Sequence, residues 1–268
     1  MRYKMMFIDC DRTLLNDKGL VTERTRNAIR SAIQNGVKVI FASGRAPSGI
    51  EKIIKRIGAE DLFDYYVCFN GGLIIKSRDK QIISENTLGF KDIIKIADNI
   101  NCAPENYYVV TSDELICNGN NKYAIIEAKK NSMTVTQEDV RQHGVDEKYF
   151  KMVFAGTKEW LDIIEQQIPE TLRKQYNTTR SEPNNLEFVS LQASKGHALT
   201  KLADILNIRI QDTISFGDSE NDSSMLTLAG TGIAMGNANE ELKGIADYVT
   251  DNNNNDGLAK AIERYILL

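Results

Sequence analysis

Met5-Met6-Phe7-Ile8-Asp9-Cys10-Asp11-Arg12-Thr13 opens with four apolar residues and closes on two carboxylates two positions apart. A short apolar run with no polar alternation reads as a strand buried on both faces, the kind that fills the middle of a parallel sheet. Working outward, Glu23 to Gln34 carries a helical pattern and VKVIFA at 37–42 a second strand. A helix near Ser48 to Arg56 and YYVCF at 65–69 follow. The same rhythm returns at the other end. A helix from Lys195 to Leu206 leads to TISF at 213–216, a helix near Asn221 to Ala229, GIAM at 232–235, a helix near Glu240, DYVT at 247–250 and a last helix to Leu268. Strands alternating with amphipathic helices build βαβ units, so the expected fold is α/β, with a Rossmann-like parallel-sheet core that uses both ends of the chain.

The middle of the chain has another texture. Leu73 to Ile75 and Gln81 to Ile83 flank Ser77-Arg78-Asp79-Lys80 as a hairpin, and the region beyond mixes helices with strands such as YYVV, KMVFA and LEFVSL. Residues 1–84 plus 189–268 are expected to form the core, with 85–188 an inserted α+β cap. The runs at 183–185 and 252–255 read as polar turns.

At 268 residues the chain is long enough for two modest domains. Thirty-three basic against thirty-seven acidic residues leave a formal charge of −4, with no Lys/Arg stripe to track a phosphate backbone, so nucleic acid is not an expected partner. No window nears the roughly 20 apolar residues of a membrane span, and none is expected. Cys10, Cys68, Cys102 and Cys117 show no CxxC spacing, and the opening residues turn acidic before any signal-like apolar stretch. Free thiols, a cytoplasmic location and a monomer or weak homodimer are the expectations.

Ligands of open α/β sheets bind outside the carboxyl ends of the strands, and the polar residues of this chain gather there. Asp9 and Asp11, read as one face of a strand end, repel each other unless a hard cation such as Mg²⁺ sits beside them. Ser43-Gly44-Arg45 ends the second strand with a hydroxyl, an open backbone and a guanidinium, donors suited to a phosphoryl group, although taken alone these residues read first as an ordinary strand-to-helix turn capped by Ser43. Asn70-Gly71-Gly72 turns the chain before the hairpin, where Asn70 is a candidate substrate contact. Lys195 opens a helix at its positive end, a mild misfit that favours an anionic neighbour. Gly217-Asp218-Ser219-Glu220-Asn221-Asp222 packs three acids and an amide where a strand gives way to a helix; helix capping explains each acid singly, but not the gathering of all these groups on one edge.

DCDRTLL, ASGR, SKG and GDSENDSSML, followed by GIAMGNA and ADYVTD, resemble in this order the motifs of the haloacid dehalogenase superfamily, in particular its Cof-like members with a type IIB cap. The resemblance implies a Mg²⁺-dependent phosphatase acting on a small phosphorylated metabolite, a sugar phosphate or phosphorylated cofactor, through an aspartyl-phosphate. It makes Asp9 the nucleophile, Asp11 the general acid/base, and Ser43 and Lys195 the phosphoryl ligands. Asp9, Asp11 through its backbone carbonyl, Asp218 and Asp222 become the metal residues, Asp222 with Asn221 as nearby support. Cys10, Gly44, Arg45, Asn70 and Asn221 are the substrate or phosphate contacts. A phosphomutase on the same scaffold and a non-catalytic phosphometabolite-binding regulator are the alternatives, the latter motivated by Arg12 where the motif most often carries Gly. A positive φ there would cost about a kcal/mol or more.

Gly230-Thr231-Gly232 with Gly236 has neither the spacing nor the strand-first placement of a dinucleotide fingerprint. His143 and His197 lack Cys or Glu at metal spacing, so zinc is not expected and both are read as surface or supporting residues.

Overall fold

The structure, a computed structural model, describes residues 2–58, 64–100, 102–142 and 146–268. In chain order the strands are β1 Met5–Asp9, β2 Lys38–Ala42, β3 Tyr65–Cys68, β4 Leu73–Lys76, β5 Ile82–Glu85, β6 Leu88–Gly89, β7 Tyr107–Val110, β8 Glu114–Cys117, β9 Thr134–Gln137, β10 Lys148–Tyr149, β11 Lys151–Ala155, β12 Tyr176–Glu182, β13 Asn185–Ser190, β14 Thr213–Gly217, β15 Gly232–Ala234 and β16 Tyr248–Val249. The helices are α1 Glu23–Gln34, α2 Pro47–Ile57, α3 Phe90–Asn99, α4 Lys122–Asn131, α5 Lys158–Gln167, α6 Glu170–Arg173, α7 Lys195–Ile205, α8 Ser223–Leu228, α9 Glu240–Ile245 and α10 Gly257–Ile262.

The chain divides into two compact units. The first comprises Met1–Gly44, Ile50–Ser84 and Ser194–Leu268. Its eight-stranded sheet runs β16-β15-β14-β1-β2-β3-β4-β5, parallel from β16 to β3 and antiparallel where β4 joins β3. From β1 the chain steps outward through β2 and β3, then returns on the other side through β14, β15 and β16. The order therefore reverses between β1 and β14, the point at which a crevice opens above the carboxyl ends. Every residue of β1 and β14 is buried, which is why both read as apolar runs rather than alternating ones. Met5, Phe7, Ile40, Val67, Leu199, Leu202, Met225 and Ala234 share one core cluster of this unit.

The second unit comprises Arg45–Gly49 and Glu85–Ala193. Its six-stranded sheet runs β12-β13-β11-β7-β8-β9, antiparallel except for β8 and β9, which α4 connects as a parallel crossover. Alternate residues send Met152, Phe154, Tyr107, Val109, Leu186 and Phe188 to a core covered by α3 and α5. The opposite face carries Lys151, whose ammonium lies 2.8 Å from Glu187 Oε1 and 3.3 Å from Glu127 Oε1 of α4, all of it buried or nearly so.

Composition alone cannot mark where one unit ends and the other begins. The stretch after β13 stays with the second unit as far as Ala193, because Asn177 Nδ2 donates to the carbonyls of Leu191 and Ala193 at 3.0 and 3.3 Å. Arg45–Gly49 also clusters there, with the Ala46 N–H donating to Asn131 Oδ1 at 2.9 Å.

Candidate active site

Asp9 is the last residue of β1, 6% exposed, at the reversal of strand order. Opposite it, Lys195 begins α7 and is fully buried. Its ammonium donates to Asp9 Oδ1 and to Asp222 Oδ1, each at 2.6 Å. A cation at a helix N-terminus opposes the dipole, and the two carboxylates supply the compensation. Glycines set the approach. A Cβ on Gly196 would lie 2.7 Å from the Ser224 carbonyl oxygen, so its absence lets α7 close on α8, and the Gly196 N–H donates to Ser224 Oγ at 3.0 Å.

Asp222 holds the turn after β14. Its Oδ2 accepts from the N–H groups of Asp218 and Ser219 at 2.9 and 3.0 Å while its Oδ1 holds Lys195. A Cβ on Gly217 would fall 2.4 Å from Asp222 Cβ, so the Gly-Asp pair is a steric requirement. The turn aims Asp218 toward Asp9, and one oxygen each of Asp9, Asp218 and Asp222 lie within 4.8 Å of one another.

Three carboxylates against one ammonium leave this buried group with excess negative charge. Burial first, then repulsion from Asp222 and Asp218, holds the Asp9 carboxyl well above its ordinary range despite Lys195. Asp218 is pushed up to about 6, chiefly by burial and next by Asp222. For Lys195, burial favours the neutral amine, yet Asp222 and Asp9 outweigh it and raise its pKa. Such an oxygen-rich, proton-retaining cluster fits a hard divalent cation. Asp222, expected among the metal residues, gives one oxygen to the Lys195 ammonium and the other to two backbone N–H groups, whereas the donors that meet Asp218 are a neutral hydroxyl and a neutral amide, so Asp9 and Asp218 are the better-placed ligands.

A second group of candidates converges beside β2. Ser43 is buried; its N–H donates to the Val67 carbonyl at 3.0 Å, and its carbonyl accepts from the Asn70 N–H at 2.9 Å. Asn70 adopts a left-handed backbone, φ 56°, and its Oδ1 accepts from Asn221 Nδ2 at 2.9 Å. A Cβ on Gly44 would come within 3.2 Å of the same oxygen, so Ser43, Gly44, Asn70 and Asn221 form one cluster. Gly71 is required by both space and conformation, with φ +104° and the Ser194 carbonyl oxygen 2.2 Å from where a Cβ would sit. Arg45 belongs to the second unit and packs beside Gly49.

The turn Cys10–Leu14 departs from the expected alternation. The strand ends at Asp9, and Asp11, half-buried with φ −82° and ψ 123°, stands outside the carboxylate trio. Asp9 and Asp11 are therefore not a same-face strand pair; the partners that crowd Asp9 come from the far end of the chain. Cys10 is buried, and its carbonyl accepts from the Leu15 N–H at 2.9 Å. Arg12 takes φ 63°, the strained conformation that its position demands. Two residues not singled out as candidates in the sequence meet Asp218: Thr13 Oγ1 donates to Oδ1 at 3.1 Å, and Asn237 Nδ2 to Oδ2 at 3.2 Å. Their sequence signal is membership of the quoted stretches DCDRTLL and GIAMGNA, which assign neither a role. His197 is exposed in the first turn of α7 with Nδ1 3.0 Å from Ser194 Oγ, and His143 lies outside the described residues.

A profile for haloacid dehalogenase-like hydrolases matches residues 6–262. The chain is 30% identical over 267 residues to a putative phosphatase, YxeH, of Bacillus subtilis (strain 168), covering 99% of each. It is 30% identical to 5-amino-6-(5-phospho-D-ribitylamino)uracil phosphatase YcsE of the same organism, covering 98% of this chain and 96% of that one. Its fold is similar to that of the subclass IIB sugar phosphatase BT4131, with a TM-score of 0.82 and 23% identity over 99% of this chain and 100% of that one.

Proposed function

The chain belongs to the haloacid dehalogenase-like hydrolases and is a phosphoric monoester hydrolase, and we propose that it is a Mg²⁺-dependent phosphatase working through an aspartyl-phosphate on Asp9. The observation that carries this reading is the buried Asp9 carboxylate, 2.6 Å from the Lys195 ammonium and within 4.8 Å of Asp218. A carboxylate so placed can attack an anion only if charge around it is offset.

Asp9 and Asp218 hold the cation, together with the Asp11 backbone carbonyl that the family resemblance adds. When bound, the cation offsets the repulsion between the nucleophile and the phosphate dianion. Lys195 and Ser43 hold phosphoryl oxygens, with Asn70, Asn221, Gly44, Arg45 and Cys10 as the further contacts. Asp9 attacks phosphorus in line, the ester P–O bond breaks, and Asp11 gives its proton to the leaving alkoxide. Asp11 then takes a proton from the water that attacks the aspartyl-phosphate, which frees phosphate and restores Asp9. Asp222 positions Lys195 and the 217–219 turn.

The substrate we propose is a small phosphorylated metabolite, a sugar phosphate or phosphorylated cofactor, with its leaving group read by the inserted unit. The name of the ribityl-phosphate phosphatase relative supports a polyol-like leaving group. The cysteines' lack of CxxC spacing supports a cytoplasmic compartment, and no described helix is long and apolar enough to cross a membrane. Arg12, at φ 63°, carries the backbone cost that motivates the regulator alternative, and turnover separates the two readings.

Hydrolysis of p-nitrophenyl phosphate with Mg²⁺, after chelation, and in Asp11→Asn tests the reading. Activity lost on chelation and restored by Mg²⁺, with Asp11→Asn slow but still able to bind a phosphate analogue, supports it. Turnover indifferent to chelation refutes it.

A further inference from the structure

Asn237 follows β15 and bridges the turn after β1 and the turn that carries Asp218. Its Oδ1 accepts from the Asn253 backbone N–H at 3.0 Å. A backbone N–H can only donate, so the amide cannot flip, and its NH₂ must point the other way. There it donates to the Arg12 carbonyl at 3.0 Å and to Asp218 Oδ2 at 3.2 Å. Thr13 Oγ1 holds the other oxygen of Asp218, so the carboxylate is fixed from both sides by donors that leave its charge in place.

Asn253 is itself held. It is 7% exposed, and its Nδ2 donates to the Leu15 carbonyl at 3.2 Å and to Asp17 Oδ1 at 3.0 Å. Asn254 adds a reciprocal pair with Asp17, donating Nδ2 to Oδ2 at 2.8 Å and accepting the Asp17 N–H at 3.1 Å. The loop bearing these asparagines is packed against the strand end that bears Asn237. A Cβ on Gly257 would lie 1.9 Å from the Asp251 carbonyl oxygen, and one on Gly236 would lie 2.8 Å from the Asn252 nitrogen. The run Asn252-Asn253-Asn254-Asn255 is thus a brace between the end of the chain and the turn after β1.

We propose that Asn237, locked by Asn253, is a positioning residue: it fixes the Asp218 carboxylate for the divalent cation and tethers the left-handed Arg12 turn whose neighbours are Asp9 and Asp11. The proposal rests on the cation reading given above and deepens it. It assigns to an amide from outside the acidic motifs the task of presenting one of the cation's oxygens. Partners of this kind commonly change metal affinity by roughly 10- to 100-fold when removed.

The test is Mg²⁺ affinity of the full chain, read by isothermal titration and by the Mg²⁺-dependent rise in melting temperature, alongside turnover of p-nitrophenyl phosphate. Asn237→Ala is expected to raise the Mg²⁺ dissociation constant about 10-fold or more, with most turnover regained at saturating Mg²⁺. Asn239→Ala serves as control. It removes the α9 cap, where Asn239 Oδ1 accepts from the Leu242 N–H at 2.8 Å, and so lowers melting from the same loop without touching the site. Its Mg²⁺ affinity is expected to stay at the wild-type value. If Asn237→Ala melts too low to assay, Asn237→Ser reports the same loss. Wild-type Mg²⁺ affinity in the Asn237 variants, or an equal loss in Asn239→Ala, overturns the positioning role. Asp218→Asn separates the two levels: if it binds Mg²⁺ as tightly as wild type, the cation reading has failed, and the positioning role with it.

Discussion

The Lys195 ammonium donates to Asp9 Oδ1 at 2.6 Å across 186 positions of sequence, and both groups are buried. That contact joins the first strand to the first helix after the inserted unit, and it defines both the charge balance of the site and the return of the chain to the sheet.

Replacing Lys195 with methionine keeps its bulk and removes its charge. Asp9 and Asp222 are then left buried without their shared partner, and truncating one side of a buried ion pair typically costs about 3–5 kcal/mol. Urea unfolding of Lys195→Met without Mg²⁺ is expected to show a loss of that order, with turnover abolished. A loss well under about 1 kcal/mol would mean that the ammonium does not neutralise the cluster.

The carboxyls give a pH signature. Burial, and next the Asp222 charge, pushes the Asp218 carboxyl up to about 6 from an ordinary 3.8. An acid with a raised folded pKa keeps its proton longer folded than unfolded, so its contribution to metal-free stability falls as pH rises from 3.8 through about 6 and is flat above. Mg²⁺ binds the ionised form. The Mg²⁺-induced rise in melting temperature is therefore expected to be larger one unit above pH 6 than one unit below it, and a rise that shrinks with pH contradicts this charge balance.

Gly217→Ala tests the turn that presents Asp218. Its new Cβ would meet Asp222 Cβ at 2.4 Å, inside any normal contact. Displacing Asp222 releases Lys195 and the Asp218 and Ser219 N–H groups together. We expect a loss of about 1–3 kcal/mol in denaturant unfolding, as for overpacked cores, and a fall in turnover larger than that produced by Gly244→Ala, where a Cβ meets nothing within 4 Å.

Much of this arrangement was legible in the sequence because it depends on local grammar. Asp9, Ser43 and Asp218 stand at or just past the ends of apolar strands, and Lys195 begins a helix that Ser194 caps through the His197 N–H at 3.1 Å. What stayed hidden depends on partners remote in the chain. Asp222 looked like one more acid, but its two oxygens organise the site. Asn253 looked like a polar turn, yet it is buried against Leu15 and Asp17. The Asp9 and Asp11 pair looked like strand alternation because no local signal shows that the strand ends at Asp9. In the second unit, the parallel crossover of β8 and β9 through α4 left no distinctive pattern in ELIC and TVTQ.

Lys151 offers a test confined to the second unit. Glu187 and Glu127 hold its buried ammonium and raise its pKa against the opposing effect of burial. Lys151→Met is expected to cost about 3–5 kcal/mol, and Lys151→Met with Glu187→Leu to recover part of it. No recovery in the double variant would mean that packing, not charge, sets the cost.

Asp9 is the nucleophile of the proposed reaction. The most direct measurement is steady-state turnover of p-nitrophenyl phosphate at saturating Mg²⁺ by Asp9→Asn, with circular dichroism to verify the fold, set beside acid-quenched wild type mapped for a phosphoryl adduct. We predict a folded Asp9→Asn protein without turnover and an adduct on the wild-type peptide that contains Asp9. Wild-type turnover by Asp9→Asn, or an adduct mapped to another residue, would contradict it.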